Sequence, residues 1–225
     1  MPIRLLIIAG FIFFSADFAT AQPQKNSIYI RTNLLSLIEP YRNGGPTFGV
    51  EYFLTDHFSL GTDIGIILYN GLWAGNYLLG TPHGYKIKPE LRYYLYRKNN
   101  EKRARVFFSA EGLLLKTTIS NYNSLPIFDN TGNVMYYYSG GYKEVKSVKG
   151  IVTKGGVQIP RFIFKKMLIE FYVGVGVRDK RFSYINLPVG ASTPSRTNGK
   201  EWFNIDVDGT YPSISAGFKM VYKIK

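Results

Sequence analysis

The sequence has no cysteine, only two histidines, and 15 acidic residues against 28 basic ones. Without cysteine the chain can form no disulfide, thiolate nucleophile or zinc–cysteine site, and it offers no cysteine for lipid attachment. The shortage of acidic residues leaves a formal net charge of +13. A charge of this size is typical of nucleic-acid-binding proteins. The distribution of the basic residues along the chain must therefore be known before a partner is inferred.

The sequence also lacks a hydrophobic run of the roughly 20 residues that a membrane-spanning helix needs. The N-terminal run from Leu5 to Phe14 is too short for that purpose. It follows the basic residue Arg4 and precedes Ala19-Thr20-Ala21, which is the order of parts in a secretory signal peptide. We therefore expect residues 1–21 to be a signal peptide cleaved after Ala21, and residues 22–225 to form one exported domain.

What the sequence has instead is a two-residue alternation between apolar and charged side chains. In residues 85–96 the odd positions carry Tyr, Ile, Pro, Leu, Tyr and Leu, whereas the even positions carry Lys, Lys, Glu, Arg, Tyr and Tyr. Successive side chains of a strand point to opposite faces, so this segment has one apolar face and one charged face. It is long enough to cross a bilayer as a tilted strand, which takes roughly 9–11 residues.

The same alternation predicts eight strands along the chain. They cover residues 28–38, 46–54, 58–68, 85–96, 105–116, 148–160, 167–178 and 210–222. The connections after the second, fourth and sixth strands are short, whereas those after the third, fifth and seventh are long, namely 69–84, 117–147 and 179–209. Short turns at one end and long loops at the other are typical of a transmembrane barrel. The sequence therefore predicts an all-β fold, an eight-stranded antiparallel up-and-down transmembrane β-barrel.

Glycine positions indicate which face of the predicted barrel is the inner one. Glycines recur on the charged face, at Gly49, Gly61, Gly65, Gly174, Gly176 and Gly217. A water-facing strand is only weakened by glycine, whereas a crowded interior gains room for long charged side chains. The predicted interior charge network consists of Arg31, Glu51, Asp63, Lys86, Lys88, Glu90, Arg92, Glu111, Lys154, Glu170, Arg178 and Lys219. Eight strands enclose only enough space for side chains, so we expect paired charges and no open pore.

The last predicted strand adds a pattern that barrel insertion machinery reads as an assembly signal. A polar residue, a glycine and two apolar residues stand at the required spacing, at Ser215, Gly217, Met220 and Tyr222. With this strand, residues 28–222 resemble the small eight-stranded outer-membrane barrels of the OmpA and OmpX type. The resemblance implies a porin-like barrel in a Gram-negative outer membrane, with outer-membrane lipid and the barrel assembly machinery as partners.

The residues suited to catalysis or metal binding do not form a recognisable site in the sequence. His57 lies in a predicted tight turn and His83 in a long loop, at opposite ends of the barrel, so they cannot share a metal ion. Gly84-Tyr85 follows His83, unlike the His-x-Ser arrangement of lipid A deacylases with this fold. Asp206-Val207-Asp208-Gly209 lacks the further ligands of a calcium loop. We predict no enzyme activity, no metal and no cofactor.

The predicted role is structural or accessory: envelope integrity, surface contact, or a subunit of an outer-membrane complex. Two alternatives stay open, a lipid A-modifying enzyme of the same fold and a soluble exported barrel that binds a small apolar ligand. The tyrosine-rich segment 136–142 is either a surface that recognises a protein partner through the long loops, or part of an extended hairpin of the fifth and sixth strands.

The excess positive charge is predicted to lie at the short-turn end of the barrel. A periplasmic basic ring is expected there from Arg97, Lys98, Lys102, Arg103, Lys165 and Lys166, with Arg105 beside it. Clustered bases next to a bilayer are attracted to anionic headgroups. We expect this ring to contact anionic lipid or an acidic periplasmic partner, and no nucleic acid, because the chain is predicted to be exported. The alternative is a solvated rim that only aids orientation during insertion.

Overall fold

The computed structural model describes residues 26–33, 44–68, 82–95, 104–129, 131–160, 166–188, 191 and 208–224. Each strand pairs antiparallel with its neighbours in sequence, and β8 pairs with β1, so that the sheet closes into a barrel. The strands are β1 Ile28–Thr32, β2 Thr47–Phe53, β3 Phe58–Ile67, β4 Pro82–Tyr94, β5 Arg105–Phe128, β6 Val134–Pro160, β7 Met167–Ile185 and β8 Gly209–Lys223. The predicted eight-stranded antiparallel up-and-down barrel is confirmed. Among these residues no helix is long and apolar enough to cross a membrane.

The wall of the barrel has an apolar outer face and a polar inner face. On β7, Val173, Val175 and Val177 point outward and are exposed, whereas Glu170 and Tyr172 are buried. The alternation is the one that a strand imposes on its side chains, and it continues around the ring. The charged face is therefore the inner one, as the glycine pattern predicts. This is the reverse of a water-soluble protein, where charged groups face solvent.

Two apolar clusters occupy the lumen, one on each side of the charged residues. The cluster at the short-turn end is mainly aromatic and contains Tyr29, Phe53, Tyr94, Phe107, Leu168, Tyr172 and Val221. The cluster nearer the long-loop end contains Ile67, Leu113, Leu115 and Val148. In the first, the ring centroids of Tyr29 and Phe53 are 5.0 Å apart, and those of Phe53 and Tyr94 are 5.1 Å apart. The charged side chains centred on Arg92 and Glu90 lie between these clusters and have almost no exposed surface.

The fifth, sixth and seventh strands run well past their predicted ends. β5 continues to Phe128 and pairs with β6 from Val134 onward, so most of the predicted loop 117–147 is an extended hairpin. β7 continues to Ile185, into the predicted loop 179–209. The predicted strand ends were wrong here because backbone pairing persists where the apolar–charged alternation of the sequence stops. The alternative of an extended hairpin of the fifth and sixth strands is confirmed. The predicted part of β1 over residues 34–38 lies outside the described residues.

A turn held by one carboxylate closes the long hairpin. Asp129 Oδ1 accepts hydrogen bonds from the hydroxyl of Thr131 at 2.6 Å and from the backbone N–H groups of Thr131 and Asn133, both at 2.8 Å. The hydroxyl and these N–H groups stabilise the charged form, which holds the pKa of Asp129 below its ordinary value. Gly132 has a φ of 88°, a conformation that favours glycine. Local chemistry therefore ends the hairpin without help from the barrel wall.

Inward glycines make room for the charged side chains that cross the lumen. A Cβ placed on Gly61 would lie 2.6 Å from Nη2 of Arg31, and one on Gly174 would lie 2.7 Å from Cγ of Lys154. On Gly174 the added atom would also lie 2.5 Å from the carbonyl oxygen of Thr153. Contacts this short force something to move. Glycine is thus required at these positions by space in the lumen.

Replacing Gly174 with alanine is expected to destabilise the barrel by about 1–3 kcal/mol, because the new methyl group overlaps a backbone oxygen and a fixed lysine stem. The matched control is Gly155→Ala on the neighbouring strand, where the nearest atom to an added Cβ, in Phe108, is 3.7 Å away on the outer face. That change is expected to be neutral or slightly stabilising. Urea unfolding curves of both variants measure the difference. Equal effects would show that the lumen at Gly174 is not crowded.

Candidate functional site

The middle of the lumen contains an ion-pair network that joins strands across the barrel. Arg92 on β4 reaches Glu170 on β7 with two hydrogen bonds, Nη1 to Oε2 at 2.6 Å and Nη2 to Oε1 at 2.9 Å. Its Nη2 also donates to Oε2 of Glu90 at 2.8 Å. A guanidinium presents several donors in a rigid fork, so one arginine can neutralise carboxylates on two strands. Arg92 is thereby the central member of the network.

Arg31 and Lys219 extend the network to the strands at the closure of the barrel. Arg31 on β1 lies 2.8 Å from Oδ1 of Asp63 and 2.9 Å from Oε2 of Glu90. Lys219 on β8 donates to Oδ2 of Asp63 at 2.7 Å. The bonded residues are distant in sequence: 59 positions separate Arg31 from Glu90, 78 separate Arg92 from Glu170, and 156 separate Lys219 from Asp63. The contacts therefore exist only in the closed barrel.

Neutral side chains complete the hydrogen bonding of the buried carboxylates. The hydroxyl of Tyr94 donates to Oε1 of Glu51 at 2.6 Å, and that of Ser109 donates to Oε1 of Glu90 at 2.8 Å. Gln158 donates to Oε2 of Glu170 at 2.9 Å. A buried carboxylate with unfilled acceptor positions is costly, so these donors lower the free energy of the charged interior. The sequence analysis missed them, although all occupy inward positions of the alternation.

Lys154 and Glu111 form a separate pair beside the main network. The ammonium group of Lys154 on β6 contacts the carboxylate of Glu111 on β5. The same ammonium group lies 4.5 Å from the ring centroid of Tyr172, and that of Lys219 lies 5.3 Å from it on the same ring. Aromatic faces attract cations, most strongly when both are shielded from water. Tyr172 thus links the pair to the rest of the network.

The remaining predicted members lie nearer the long-loop end. Lys86 is buried, and its side chain fills the space left by Gly65. Lys88 is half-buried at the inward position opposite Asp63. Arg178 is half-buried, with its stem against Gly150. All the predicted network residues are therefore on the inner face. The hydrogen-bonded centre is formed by the members that lie closer to the short-turn end of the barrel.

Three acidic groups of the network are close enough to suggest a metal site. One carboxylate oxygen from each of Asp63, Glu90 and Glu111 lies within 4.8 Å of the others. Each carboxylate is already paired, however, with cations from the set Arg31, Arg92, Lys154 and Lys219. A divalent cation would be repelled by these groups and would have to displace them. The donor set fits an internal salt-bridge lattice and does not fit a metal centre.

The other predicted positions fall in different parts of the barrel. Of the predicted basic ring, only Lys166 is described, and it is exposed at the short-turn end; Arg97, Lys98, Lys102, Arg103 and Lys165 lie outside the described residues, as do residues 1–25. Arg105 does not join such a ring. It is buried and points into the lumen, where Nη1 is 3.3 Å from the hydroxyl of Tyr29.

The residues of the predicted assembly signal follow the alternation of β8. Ser215 and Gly217 are on the inner face, and Met220 and Tyr222 are on the outer face. A Cβ on Gly217 would lie 2.6 Å from the hydroxyl of Tyr172, so the glycine has a packing role in the folded barrel. Recognition of these four residues by insertion machinery stays a prediction.

The two histidines lie at opposite ends of the barrel. His57 is in the β2–β3 turn, where its Nδ1 is 3.2 Å from the carbonyl oxygen of Tyr94 and its ring stacks on Tyr93 at 5.8 Å. His83 is exposed near the start of β4, opposite Thr118. The length of β4 separates them, so they cannot act on one ligand.

The Glu111–Lys154 pair allows a clean test of the interior electrostatics. Glu111→Leu is expected to cost about 3–5 kcal/mol of stability, because the Lys154 ammonium group is left buried without its carboxylate. The double variant Glu111→Leu/Lys154→Met is expected to recover most of that loss. As a control, Asp179→Asn removes an exposed pair with Arg181 and should cost at most about 1 kcal/mol. Urea unfolding measures all three. A double variant no more stable than the single one would contradict the pairing.

Comparison with known proteins gives a distant structural likeness. No protein-family model matches the sequence. The comparison with curated proteins finds no match either. Among solved structures, the chain is similar to the N-terminal β-barrel domain of OprF from Pseudomonas aeruginosa, with 14% identity, a TM-score of 0.40, and coverage of 89% of this chain and 98% of that chain. A likeness at this distance concerns the fold alone, and the barrel assignment follows from the strand pairing described above.

Proposed function

We propose that the protein is an integral outer-membrane β-barrel with a structural or accessory role. The observation that carries this proposal is the inverted polarity of the wall. Charged residues such as Arg92 and Glu170 are buried at 1% and 0% exposure, while large apolar residues such as Val173 are 66% exposed. In water this arrangement would be unfavourable, because apolar surface would stay exposed to solvent while charged groups would lose their hydration. In lipid the apolar outer face is removed from water, and the charged groups pair inside the lumen.

The height of the apolar band fits a bilayer. On β7 the outward residues are apolar from Ile169 to Val177, and the next outward residues, Asp179 and Arg181, are charged. Nine residues at about 3.3 Å each, tilted as in a barrel, give roughly the 25 Å of a lipid-facing band. Lys116 on β5 and Lys149 on β6 end the band on the neighbouring strands. The band thus has a common upper edge on three strands.

Aromatic residues mark the opposite edge of the band. Near the short turns, exposed aromatic side chains stand on the outer face: Tyr52, Phe58, Tyr93 and Tyr222. Phe58 packs against Tyr93 with ring centroids 5.0 Å apart. Aromatic side chains are enriched at the level of lipid headgroups, and tyrosine suits that level because its ring is apolar and its hydroxyl is polar. These residues support the placement of the short turns at one membrane surface.

The export signal predicted from residues 1–21 supports an outer-membrane location. Barrels of that membrane have short periplasmic turns and longer outer loops, which supports a periplasmic position for the short turns here. The hairpin of β5 and β6 would then project outside the cell. Its outer part exposes Tyr122, Met135, Tyr136 and Tyr137 to solvent. Tyrosine supplies contact area at a small entropy cost. An accessory role through contact with another surface protein is consistent with this hairpin, and we assign no catalytic activity.

Val175→Lys tests whether the outer face meets lipid. The substitution is expected to cost about 2–4 kcal/mol when the protein refolds from urea into lipid vesicles, because the ammonium group enters the apolar band near its middle. Ser183→Lys is the matched control, since Ser183 points outward from the same strand beyond the band. It should change the refolding free energy little. A harmless Val175→Lys, or recovery of the folded protein in the soluble periplasmic fraction, would refute the membrane proposal.

The filled lumen is expected to conduct poorly. Arg31, Arg92 and Lys219 bridge the middle of the barrel, and apolar clusters close it above and below. A permeating ion would have to break buried ion pairs and then pass the two apolar clusters. Planar bilayers containing the protein should therefore show small currents or none. Single-channel recording measures this. A large, stable and reproducible current would show that the interior is open in the membrane.

A further inference from the structure

A shallow groove runs around the outer wall from β4 to β8, and it includes an interruption in the pairing of β4 with β5. Backbone pairing is continuous up to Ile87 and Leu114 and resumes at Glu90 and Glu111, and Pro89 lies in the interval. Proline has no N–H to donate to the ladder. The residue opposite is Gly112, which has no side chain to cover the gap. These two positions form one end of an open depression of about 450 Å³ on the outside of the barrel, which continues across β6 and β7 to Thr210 on β8.

The walls of the groove are apolar and face the lipid. Leu114, Ile151 and Val177 border it, and each is exposed on the outer face of a different strand. The groove also lies inside the proposed apolar band, just below its upper edge. A hydrocarbon chain is the natural occupant of a depression with these walls.

Positive charge stands at the end of the groove nearest the long loops. Lys149 belongs to its rim, and Lys116 is its diagonal neighbour on the same face of the β5–β6 pair. Diagonal neighbours of this kind lie about 7–8 Å apart, so one anionic group can contact both. In the part of the chain that the structure describes, neither lysine has a carboxylate within ion-pair distance. Asp179, the acidic residue of the rim, is engaged by Arg181 at 3.1 Å.

We propose that this groove binds one acyl chain of a phosphorylated glycolipid of the outer leaflet, whose phosphate is held by Lys116 and Lys149. The inference deepens the proposed function, since it requires the barrel to lie in an outer membrane with its long loops outward. Two features select this occupant. The cleft accepts hydrocarbon, and the paired lysines at the headgroup level select a phosphate over a neutral headgroup. A smooth wall with no depression would offer only ordinary solvation by lipid.

The test uses the chain without its predicted leader, reconstituted in zwitterionic nanodiscs doped with bis-phosphorylated lipid A. After mild release, native mass spectrometry counts the lipid A molecules that stay bound. We expect one bound molecule, and roughly tenfold weaker binding in Lys116→Gln/Lys149→Gln. The matched control is Lys143→Gln, on the same face of β6 but beyond the groove, which should bind normally. Removal of the phosphates from lipid A should weaken its binding to the parent protein. The loss should equal the one that the lysine double variant shows with intact lipid A.

A second pair of changes tests the acyl part without touching charge. Gly112→Leu and, independently, Val177→Trp fill the groove from opposite sides, and each should reduce binding. The Val177 change adds bulk on an exposed outer position, so it keeps the test valid if Gly112→Leu does not fold. Normal binding by the filled variants, by the lysine double variant, or with dephosphorylated lipid would overturn the proposal. Equal retention of phosphatidylglycerol would overturn the choice of occupant. Failure to enter nanodiscs would instead refute the membrane proposal.

Discussion

The barrel depends on the neutralisation of ionised side chains in a narrow lumen that side chains fill. A single unpaired charge in such an interior is costly, and pairing repays that cost only with good geometry and completed hydrogen bonds. Arg92 meets the requirement by bonding to Glu170 and Glu90 at once. The glycines opposite the long side chains and the hydroxyl donors around the carboxylates follow from the same constraint, because they provide the space and the remaining hydrogen bonds.

This interior explains why the outer face can be largely apolar. The specific pairing of the strands is supported by the lumen, where the central charges are paired, so the outward positions need only be apolar and of moderate size. The groove at Pro89 and Gly112 departs from that rule. A proline that breaks the ladder and a glycine that fails to cover the break are both unfavourable for a plain wall. Both residues lie below Lys116 and Lys149. Local departures of this kind are expected at functional sites, which agrees with the proposed ligand site.

Much of the fold could be predicted from the sequence, because a barrel wall with an apolar outer face and a charged inner face imposes a strict alternation that is visible in single residues. The strand around Glu90 and Arg92 shows it clearly, and the direction of its charged face follows from glycines such as Gly61. The strand ends between Thr117 and Ser147 were predicted wrongly, although an extended hairpin there was one of two alternatives. In this segment the hairpin leaves the proposed membrane band, and the apolar–charged alternation of the sequence disappears although the backbones still pair. Arg105 was misplaced for a related reason, since a base beside a turn has the same sequence appearance whether it points outward or into the lumen.

The network could be predicted as a set of residues but not as a set of bonds. Alternation gives the face on which a side chain stands, whereas the partner depends on the stagger between strands and the height of each residue in the lumen. The neutral donors Tyr94, Ser109 and Gln158 illustrate the limit. Their inward positions were predictable, yet no feature of serine or glutamine in a strand shows that it will complete a buried carboxylate.

The long sequence separations of the lumenal pairs have a consequence for how the chain folds. The β5–β6 hairpin closes a loop of a few residues and can form early, but the bonds from Arg31 to Glu90 and from Lys219 to Asp63 wait until distant strands have come together. A half-closed sheet would leave these carboxylates and ammonium groups without their partners, which is costly in a low-dielectric interior. We therefore expect the last strands to join and the charges to pair in the same step.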